Sequence, residues 1–172
     1  MSVGQYELAE EARRVELVLS PDDDFTKWGI GLALLLQGKT SEALQYFDEN
    51  LDAQHPLRWH GKVLALHDLG RTDEALAELA KLLEVDPGTP IIHWLIGTAY
   101  AGIGETDKAF AYLEKQREEG RWLFTSVAES PLYANLPADP RWESFMASVG
   151  RDPDFLASVE FNPTLPSEIN LK

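Results

Sequence analysis

Apolar residues recur along this chain at helical spacing, in segments separated by short turns. The segments are rich in leucine and alanine, which favour helix, so the pattern predicts an all-α protein. Six of the predicted helices form three pairs, which cover residues 24–37 with 41–53, 56–69 with 73–85, and 90–103 with 107–119.

A further helix is predicted before the pairs, at residues 6–19, and the run Ser20-Pro21-Asp22-Asp23-Asp24 ends it. This helix is expected to cap the array of pairs, or to be the second half of a repeat whose first half is missing. Its apolar residues share one face, namely Leu8, Ala12, Val15 and Leu19.

After the pairs the pattern changes. A short helix is predicted at residues 122–128 and another at 140–149, with a proline-punctuated segment between them. Because a helical array needs terminal units that cover its last apolar face, we interpret this region as that cover. Residues 161–172 form a proline-containing tail.

The turn inside each pair has a recurring sequence, which reads GKTSEAL, GRTDEAL and GETDKAF from Gly38, Gly70 and Gly104. The first copy ends like a phosphate-binding P-loop, but that motif needs an earlier glycine where this chain has Ala33. A phosphate-binding lysine would also not be repeated as Glu105 in the third copy. The turn is therefore not expected to bind phosphate.

The recurring residues instead predict a tight turn between two helices. The glycine is expected to adopt the left-handed conformation that ends a helix. The threonine two positions later is expected to cap the next helix through its hydroxyl group, and the following alanine lets the two helices approach closely. The threonines are Thr40, Thr72 and Thr106, and the alanines are Ala43, Ala75 and Ala109.

The three glycines are 32 and 34 residues apart, by subtraction of their positions. Helix–turn–helix units with a period near 34 residues resemble the tetratricopeptide repeat (TPR) family. In the middle unit Val63 replaces the family's first-helix glycine, and Arg121 replaces the closing proline that the second unit has at Pro87. The matching elements are Trp59, Ile96-Gly97-x-x-Tyr100, Ala43-x-x-x-Phe47, Ala75-x-x-x-Leu79 and Ala109-x-x-x-Leu113.

A second resemblance concerns the end of the chain. Residues 132–150 are similar to a segment that often closes TPR arrays in bacteria, where the array often accompanies a cyclase or a regulatory domain. The residues that carry the resemblance are Leu132, Tyr133, Leu136, Asp139, Pro140, Arg141, Trp142, Phe145 and Gly150.

Together the resemblances imply an all-α, right-handed superhelical solenoid of about three TPR helix pairs, with capping helices at both ends. We expect a single domain. Its parts are an N-terminal capping helix (1–22), three repeats (23–55, 56–89 and 90–120), C-terminal capping helices (121–160) and the tail (161–172).

The charge of the chain bears on its partners. It has 29 acidic and 15 basic residues, for a net charge of −14. A surface this acidic repels phosphate backbones and anionic lipid, so neither nucleic acid nor a membrane is an expected partner. The longest apolar run, residues 29–36, is far shorter than the roughly 20 residues that span a bilayer. We therefore expect a soluble protein of the cytoplasm.

The residues that could carry chemistry are few. The chain has no cysteine, which excludes disulfides, thiol nucleophiles and cysteine-based zinc sites. The four histidines do not form an H-E-x-x-H pattern, and no serine lies in G-x-S-x-G. We therefore expect no catalytic site, no metal and no cofactor.

The TPR resemblance does imply a binding surface, because the first helices of TPR pairs line a concave groove that binds a peptide or helix of another protein. This chain is then expected to be a non-enzymatic interaction module or scaffold. The residues implied to face the groove form a mostly apolar and aromatic set, which we name the first-helix row: Phe25, Trp28, Leu32 and Leu35; Leu57, His60, Leu64 and His67; and Ile91, Trp94, Thr98 and Ala101.

An open apolar row is expected to be covered. A partner's peptide or amphipathic helix could cover it, and so could the chain's own helix 6–19, its tail, or a second copy of the chain in a homodimer. The row lacks the lysine, asparagine and arginine with which chaperone-binding family members hold a terminal carboxylate, so that activity is not expected. Two other functions stay open, a homo-oligomerising structural module and a regulatory TPR protein associated with a cyclase or a transcriptional regulator.

Overall fold

The computed structural model describes residues 3–85, 90–118 and 130–151. In these ranges the chain is helical and has no strand, which confirms the predicted all-α class. The α-helices are α1 (Val3–Leu19), α2 (Asp24–Leu36), α3 (Thr40–Asn50), α4 (Pro56–Asp68), α5 (Thr72–Leu83), α6 (Pro90–Gly102), α7 (Thr106–Glu118) and α8 (Arg141–Ser148), and short 3-10 helices lie at Pro131–Tyr133 and Leu136–Ala138.

Helices α2 to α7 form three antiparallel pairs, α2 with α3, α4 with α5, and α6 with α7. The first helices of the pairs also pack on one another in sequence, α2 on α4 and α4 on α6, while α1 packs on α2. This succession of neighbouring pairs is a TPR-like helical solenoid, as predicted. Among the described helices, none combines the length and the apolar character needed to cross a membrane.

Three parts of the prediction lie outside the described residues. They are the short helix at 122–128, the residues that close the second and third units (Pro87 and Arg121), and the tail at 161–172. The chain divides into two compact units, with the boundary between Leu136 and Pro137.

The turn in each pair is set by a glycine in the left-handed conformation, as predicted. The φ angles of Gly38, Gly70 and Gly104 are 80°, 73° and 81°. In the first turn the Gly38 N–H donates to the Leu35 carbonyl oxygen at 2.9 Å, and the Lys39 N–H donates to the Leu34 carbonyl oxygen at 3.0 Å. The same two bonds recur in the other turns, so each first helix ends in a Schellman motif that satisfies its last carbonyl groups.

The predicted threonine cap is wrong for α3 and α5. The N-cap residues of α3 and α5 are Lys39 and Arg71, and neither helix has a side-chain cap bond. The Thr40 hydroxyl donates instead to the Asp68 carboxylate on α4. The first backbone bond of α3 is the one in which the Lys39 carbonyl oxygen accepts from the Ala43 N–H at 2.9 Å. The residue that completes the first helix's last bonds therefore also starts the second helix.

Phe47 of α3 is the contact that brings the first two repeats together. Its side chain is fully buried, and a Cβ built on Gly31 of α2 or on Gly61 of α4 would lie 2.2 Å or 2.5 Å from its ring. The ring therefore fits between the two helices only because both positions lack a side chain. In the middle repeat, where Val63 replaces the family's first-helix glycine, Gly61 allows this close approach.

The third repeat is covered by the segment Ser130–Leu136. Tyr133 and Leu136 are fully buried, and the Tyr133 hydroxyl lies 3.4 Å from the position that a Cβ on Gly97 would take. The Asn135 side chain donates to the carbonyl oxygen of Ala101, at the end of α6, at 2.7 Å. This segment thus packs on α6.

In the second unit, within the sequence Asp139-Pro140-Arg141, the Asp139 and Arg141 side chains form a bidentate ion pair at the start of α8. The Arg141 guanidinium donates to both carboxylate oxygens of Asp139 at 2.8 Å, and the Arg141 N–H donates to the same carboxylate at 2.9 Å. These bonds lower the pKa of Asp139 to about 2. The helix buries Phe145 and Met146 and ends at Gly150, whose φ of 74° repeats the turn of the repeats.

Replacing either glycine that faces Phe47 should destabilise the protein. We expect Gly31→Ala or Gly61→Ala to lower the free energy of unfolding by about 1–3 kcal/mol, because the added methyl group overlaps a buried aromatic ring. Urea unfolding followed by circular dichroism measures the change. Gly29→Ala is the matched control, since its added Cβ meets only the long Arg13 side chain, which can move. An equal loss in the control would contradict the role of Phe47.

The turn glycine has a separate, purely conformational requirement. A Cβ on Gly70 meets nothing within 4 Å, so its replacement changes only the backbone energy. Gly70→Ala should lower the free energy of unfolding by about 1–2 kcal/mol, the cost of a left-handed residue with a side chain. Gly70→Asn should cost less, because asparagine tolerates this conformation. Equal stability of the alanine variant and the unmodified protein in thermal unfolding would contradict this account.

Candidate functional site

The structure gathers the first-helix row on one surface of α2, α4 and α6, but only its two ends are accessible. Phe25 is 43% exposed, and Leu35, His67, Ile91 and Trp94 are half-buried. The middle of the row is enclosed because the three helices pack closely side by side. The buried members are Trp28, Leu32, Leu57, His60, Leu64, Thr98 and Ala101.

A chain of polar groups crosses this buried middle. The Trp28 Nε1–H donates to Nδ1 of His60 at 3.2 Å, and Nε2 of His60 lies 2.9 Å from Oγ1 of Thr98. The Thr98 hydroxyl donates to the backbone carbonyl oxygen of Trp94 at 2.8 Å. Because the indole can only donate, His60 must accept at Nδ1 and carry its proton on Nε2, which it donates to Thr98. One connected set of bonds therefore links α2, α4 and α6.

His60 is held in the neutral form by its surroundings. Its side chain is fully buried, and burial lowers its pKa to about 3. A second proton on Nδ1 would also point at the Trp28 N–H, which can offer no acceptor. His60 is therefore uncharged at neutral pH and acts as a structural connector between repeats.

The end of the row nearest the helix N-termini is an aromatic cluster around His60. The Trp28 ring lies 5.1 Å from Phe25 and meets Trp94 edge-on at 5.6 Å, measured between ring centroids. Trp94 stacks on His60 at 6.2 Å. Phe25 and Trp94 are the accessible members, so this end offers an aromatic surface on a rigid buried base.

The opposite end of the row is a pocket of about 350 Å³. Three walls come from the C-terminal ends of α2, α4 and α6, and the fourth comes from the segment Ser130–Leu136. Leu64 packs tightly here, because a Cβ on Gly102 would lie 2.2 Å from its Cδ2. The lining residues are Leu35, Leu36, Leu64, His67, Asp68, Ala101, Gly102, Pro131, Leu132, Ala134 and Asn135.

The polar groups of this pocket are few and mostly engaged. Asp68 accepts from Thr40, and Asn135 donates to Ala101. The carboxyl ends of three helices point to this side, and each carries a partial negative charge. The pocket can therefore hold an apolar side chain with a hydrogen-bond donor or a cation beside it. Within the described ranges, no group of three or more histidine and acidic side chains could bind a metal ion.

Sequence reasoning missed the fourth wall. It placed Leu132, Tyr133 and Leu136 in a terminal cover, and the structure buries Tyr133 and Leu136, but Pro131, Ala134 and Asn135 had no periodic signal. The sequence feature that marks this wall is the proline after Ser130, which starts the short 3-10 helix.

Successive helix–turn–helix units that share one surface of first helices define the molecule as a helical repeat protein of the solenoid class. A family model described as TPR repeat matches residues 64–104, from the middle of α4 to the turn after α6. Residues 64–104 therefore have the sequence of a TPR repeat, in agreement with the repeat period that the glycine spacing predicted. No curated protein matches the chain. The likeness of residues 132–150 to bacterial closing segments stays a prediction.

The buried histidine should make stability depend on pH. In the unfolded chain His60 titrates near 6.5, whereas in the folded protein its pKa is about 3. Between these values the unfolded chain binds one more proton, so the free energy of unfolding falls as the pH is lowered. The contribution of His60 from pH 7 to pH 5 is a loss of about 2 kcal/mol.

Urea unfolding of the unmodified protein and of His60→Gln, at pH 7 and pH 5, measures this dependence. The variant should be less stable at both values but should lose the part of the pH dependence that His60 causes. His67→Gln, at a half-buried histidine two turns further along α4, is the matched control and should keep it. If the stability of His60→Gln depended on pH as strongly as that of the unmodified protein, His60 would not be a buried, neutral group.

Proposed function

We propose that this protein is a non-enzymatic module for protein–protein interaction, and that it binds a peptide or helix of a partner protein at the accessible ends of the first-helix row. A TPR repeat supports protein binding in general. The particular site is inferred from the pocket between α2, α4, α6 and Ser130–Leu136.

The pocket is the observation that carries this proposal. Its volume of about 350 Å³ falls in the range of binding pockets, and its lining is mainly apolar with a few polar groups at the rim. Three repeats contribute to it, so it exists only in the assembled array. An apolar side chain of a partner would fill it as an anchor, with a donor group near Asp68.

The aromatic cluster supplies a second anchor point. Phe25 and Leu35 lie ten positions apart on α2, which corresponds to about 15 Å along the helix. An extended partner peptide spans that distance in about five residues, and a partner helix spans it in about three turns. The buried middle of the row separates the two ends, so we expect a partner with two apolar anchors.

Substitutions in the two accessible ends should weaken binding without unfolding the protein. Leu35→Glu places a carboxylate in the pocket, and Trp94→Ser removes the accessible aromatic ring. Each should reduce capture of a specific protein from native cell extract by about tenfold or more, as expected for a binding anchor. Trp28 is not suitable for this test, since it is buried and bonded to His60.

The matched control is Leu76→Glu, at an exposed leucine on α5 away from the pocket. Circular dichroism must first show that all variants are folded. Unchanged capture by the Leu35 and Trp94 variants, or equal loss in the Leu76 control, would contradict the proposed site. A wild-type dimer that the Leu35 variant converts to a monomer, measured by light scattering, would instead support the homo-oligomeric alternative.

A further inference from the structure

Helix α1 packs on its neighbours through a face of mixed polar and apolar residues. Tyr6, Glu10, Arg13 and Leu17 are half-buried and lie on one side of the helix. The Gln37 side-chain amide, at the end of α2, donates to the Glu10 carboxylate at 2.8 Å. A Cβ on Gly29 would touch Arg13, which shows how closely this face approaches α2. This face, which carries both polar and apolar residues, is therefore the one that attaches α1 to the solenoid.

The opposite face of α1 is apolar and exposed. Its large side chains are the four most exposed large hydrophobic side chains of the described residues, at 65–82%, whereas the remaining ones are at most 48% exposed. A contiguous apolar face in water marks a binding surface rather than a random surface residue. We name it the α1 stripe, and it consists of Leu8, Ala12, Val15, Val18 and Leu19.

The geometry of the α1 stripe fits another helix. Leu8, Ala12, Val15 and Leu19 are spaced by four, three and four residues, which is the spacing of the seam between two packed helices. The 17 residues of α1 extend for about 25 Å, enough for several layers of such contacts. An extended peptide would match a narrower or more recessed surface than this convex helix.

The charges beside the stripe select the chemistry of that helix. Glu7 and Glu11 border it on one side and Glu16 on the other, and Glu7 and Glu11 form no ion pair with any residue that the structure describes. The two arginines of α1 are used elsewhere. Arg13 lies over the Phe25 ring and pairs with Glu16 at 3.4 Å, and Arg14 binds Glu10 at 2.7 Å.

We propose that the α1 stripe binds an amphipathic helix of a partner protein whose apolar stripe is flanked by lysine or arginine. Such flanks would pair with Glu7 and Glu11 beside the apolar contact. A second copy of this chain would bring a net charge of −14 and further carboxylates to an acidic border. The chain's residues 152–172 hold four acidic residues against one lysine, so they do not supply the flanks either.

The test uses synthetic amphipathic peptides of about five helical turns with a leucine stripe, one flanked by lysine and one by glutamate. Fluorescence polarisation against the full chain measures both affinities. The lysine-flanked peptide should bind about tenfold or more tightly than the glutamate-flanked one, and added salt should reduce the difference. A third peptide with lysine flanks and a serine stripe should bind weakly, because charge alone does not fill the stripe.

Variants of the chain locate the binding. Leu8→Ser with Val15→Ser should weaken the lysine-flanked peptide by about tenfold, and both positions are exposed enough for the fold to tolerate the change. Glu7→Gln with Glu11→Gln should remove most of the preference for lysine flanks. The matched controls are Leu76→Ser with Leu83→Ser on α5, and Glu42→Gln with Glu49→Gln on α3, which should bind as the unmodified chain does.

Several results would overturn the proposal. They are equal binding of lysine- and glutamate-flanked peptides, unchanged binding by the Leu8 and Val15 variant, and equal losses in the α5 or α3 controls. A change of oligomeric state, measured by light scattering, would also overturn the proposal. If the unmodified chain is a dimer and the Leu8 and Val15 variant is a monomer, the occupant is a second copy and not a basic helix.

Discussion

The distance between the first two repeats depends on one aromatic ring that two helices share. Phe47 can touch α2 and α4 at the same time only because Gly31 and Gly61 present no side chain to it. Interiors packed at this density do not deform gradually, so the ring holds the two first helices at a defined separation. That separation places the Trp28 indole within hydrogen-bonding distance of His60.

The polar chain through Trp28, His60 and Thr98 then aligns the three repeats. An entirely apolar middle would bury the same helices, but leucine and valine contacts tolerate small shifts of one helix along another. Hydrogen bonds between buried groups do not, because a shift leaves a donor or acceptor without a partner in a low-dielectric interior. The pocket and the aromatic cluster lie at the two ends of this aligned surface, so their geometry depends on the alignment of the three repeats.

The helix pairs and their turns could be predicted from the sequence because they depend on local rules. Apolar spacing marks the helices, and a left-handed turn requires glycine at Gly38, Gly70 and Gly104. The threonine cap was mispredicted because α3 and α5 begin one residue earlier than expected, with Lys39 and Arg71 as their N-caps. Thr40 is therefore already inside α3, and its hydroxyl group bonds Asp68.

The burial of the first-helix row depends on contacts between repeats, which no single repeat encodes. In the sequence, Trp28 and His60 are two large side chains in equivalent positions of successive repeats. In the fold, each side chain shields the other from solvent. The wall at Pro131–Asn135 reaches the pocket from far along the chain, and α1 turns its apolar face outward. These features follow from tertiary packing, so periodicity alone could not reveal them.

The hydrogen-bonded chain also limits how this array could change in evolution. In many solenoids a unit can be duplicated or deleted, because each interface resembles the next. Here the equivalent first-helix positions hold Trp28, His60 and Trp94, and only the middle one can both accept from one neighbour and donate to the other. A duplicated middle unit could extend the chain, because one neutral histidine can donate to the next. Loss of the middle unit would instead leave the indole of Trp28 beside the indole of Trp94, which cannot accept its proton. The middle unit of this array is thus required by the chemistry of a single imidazole.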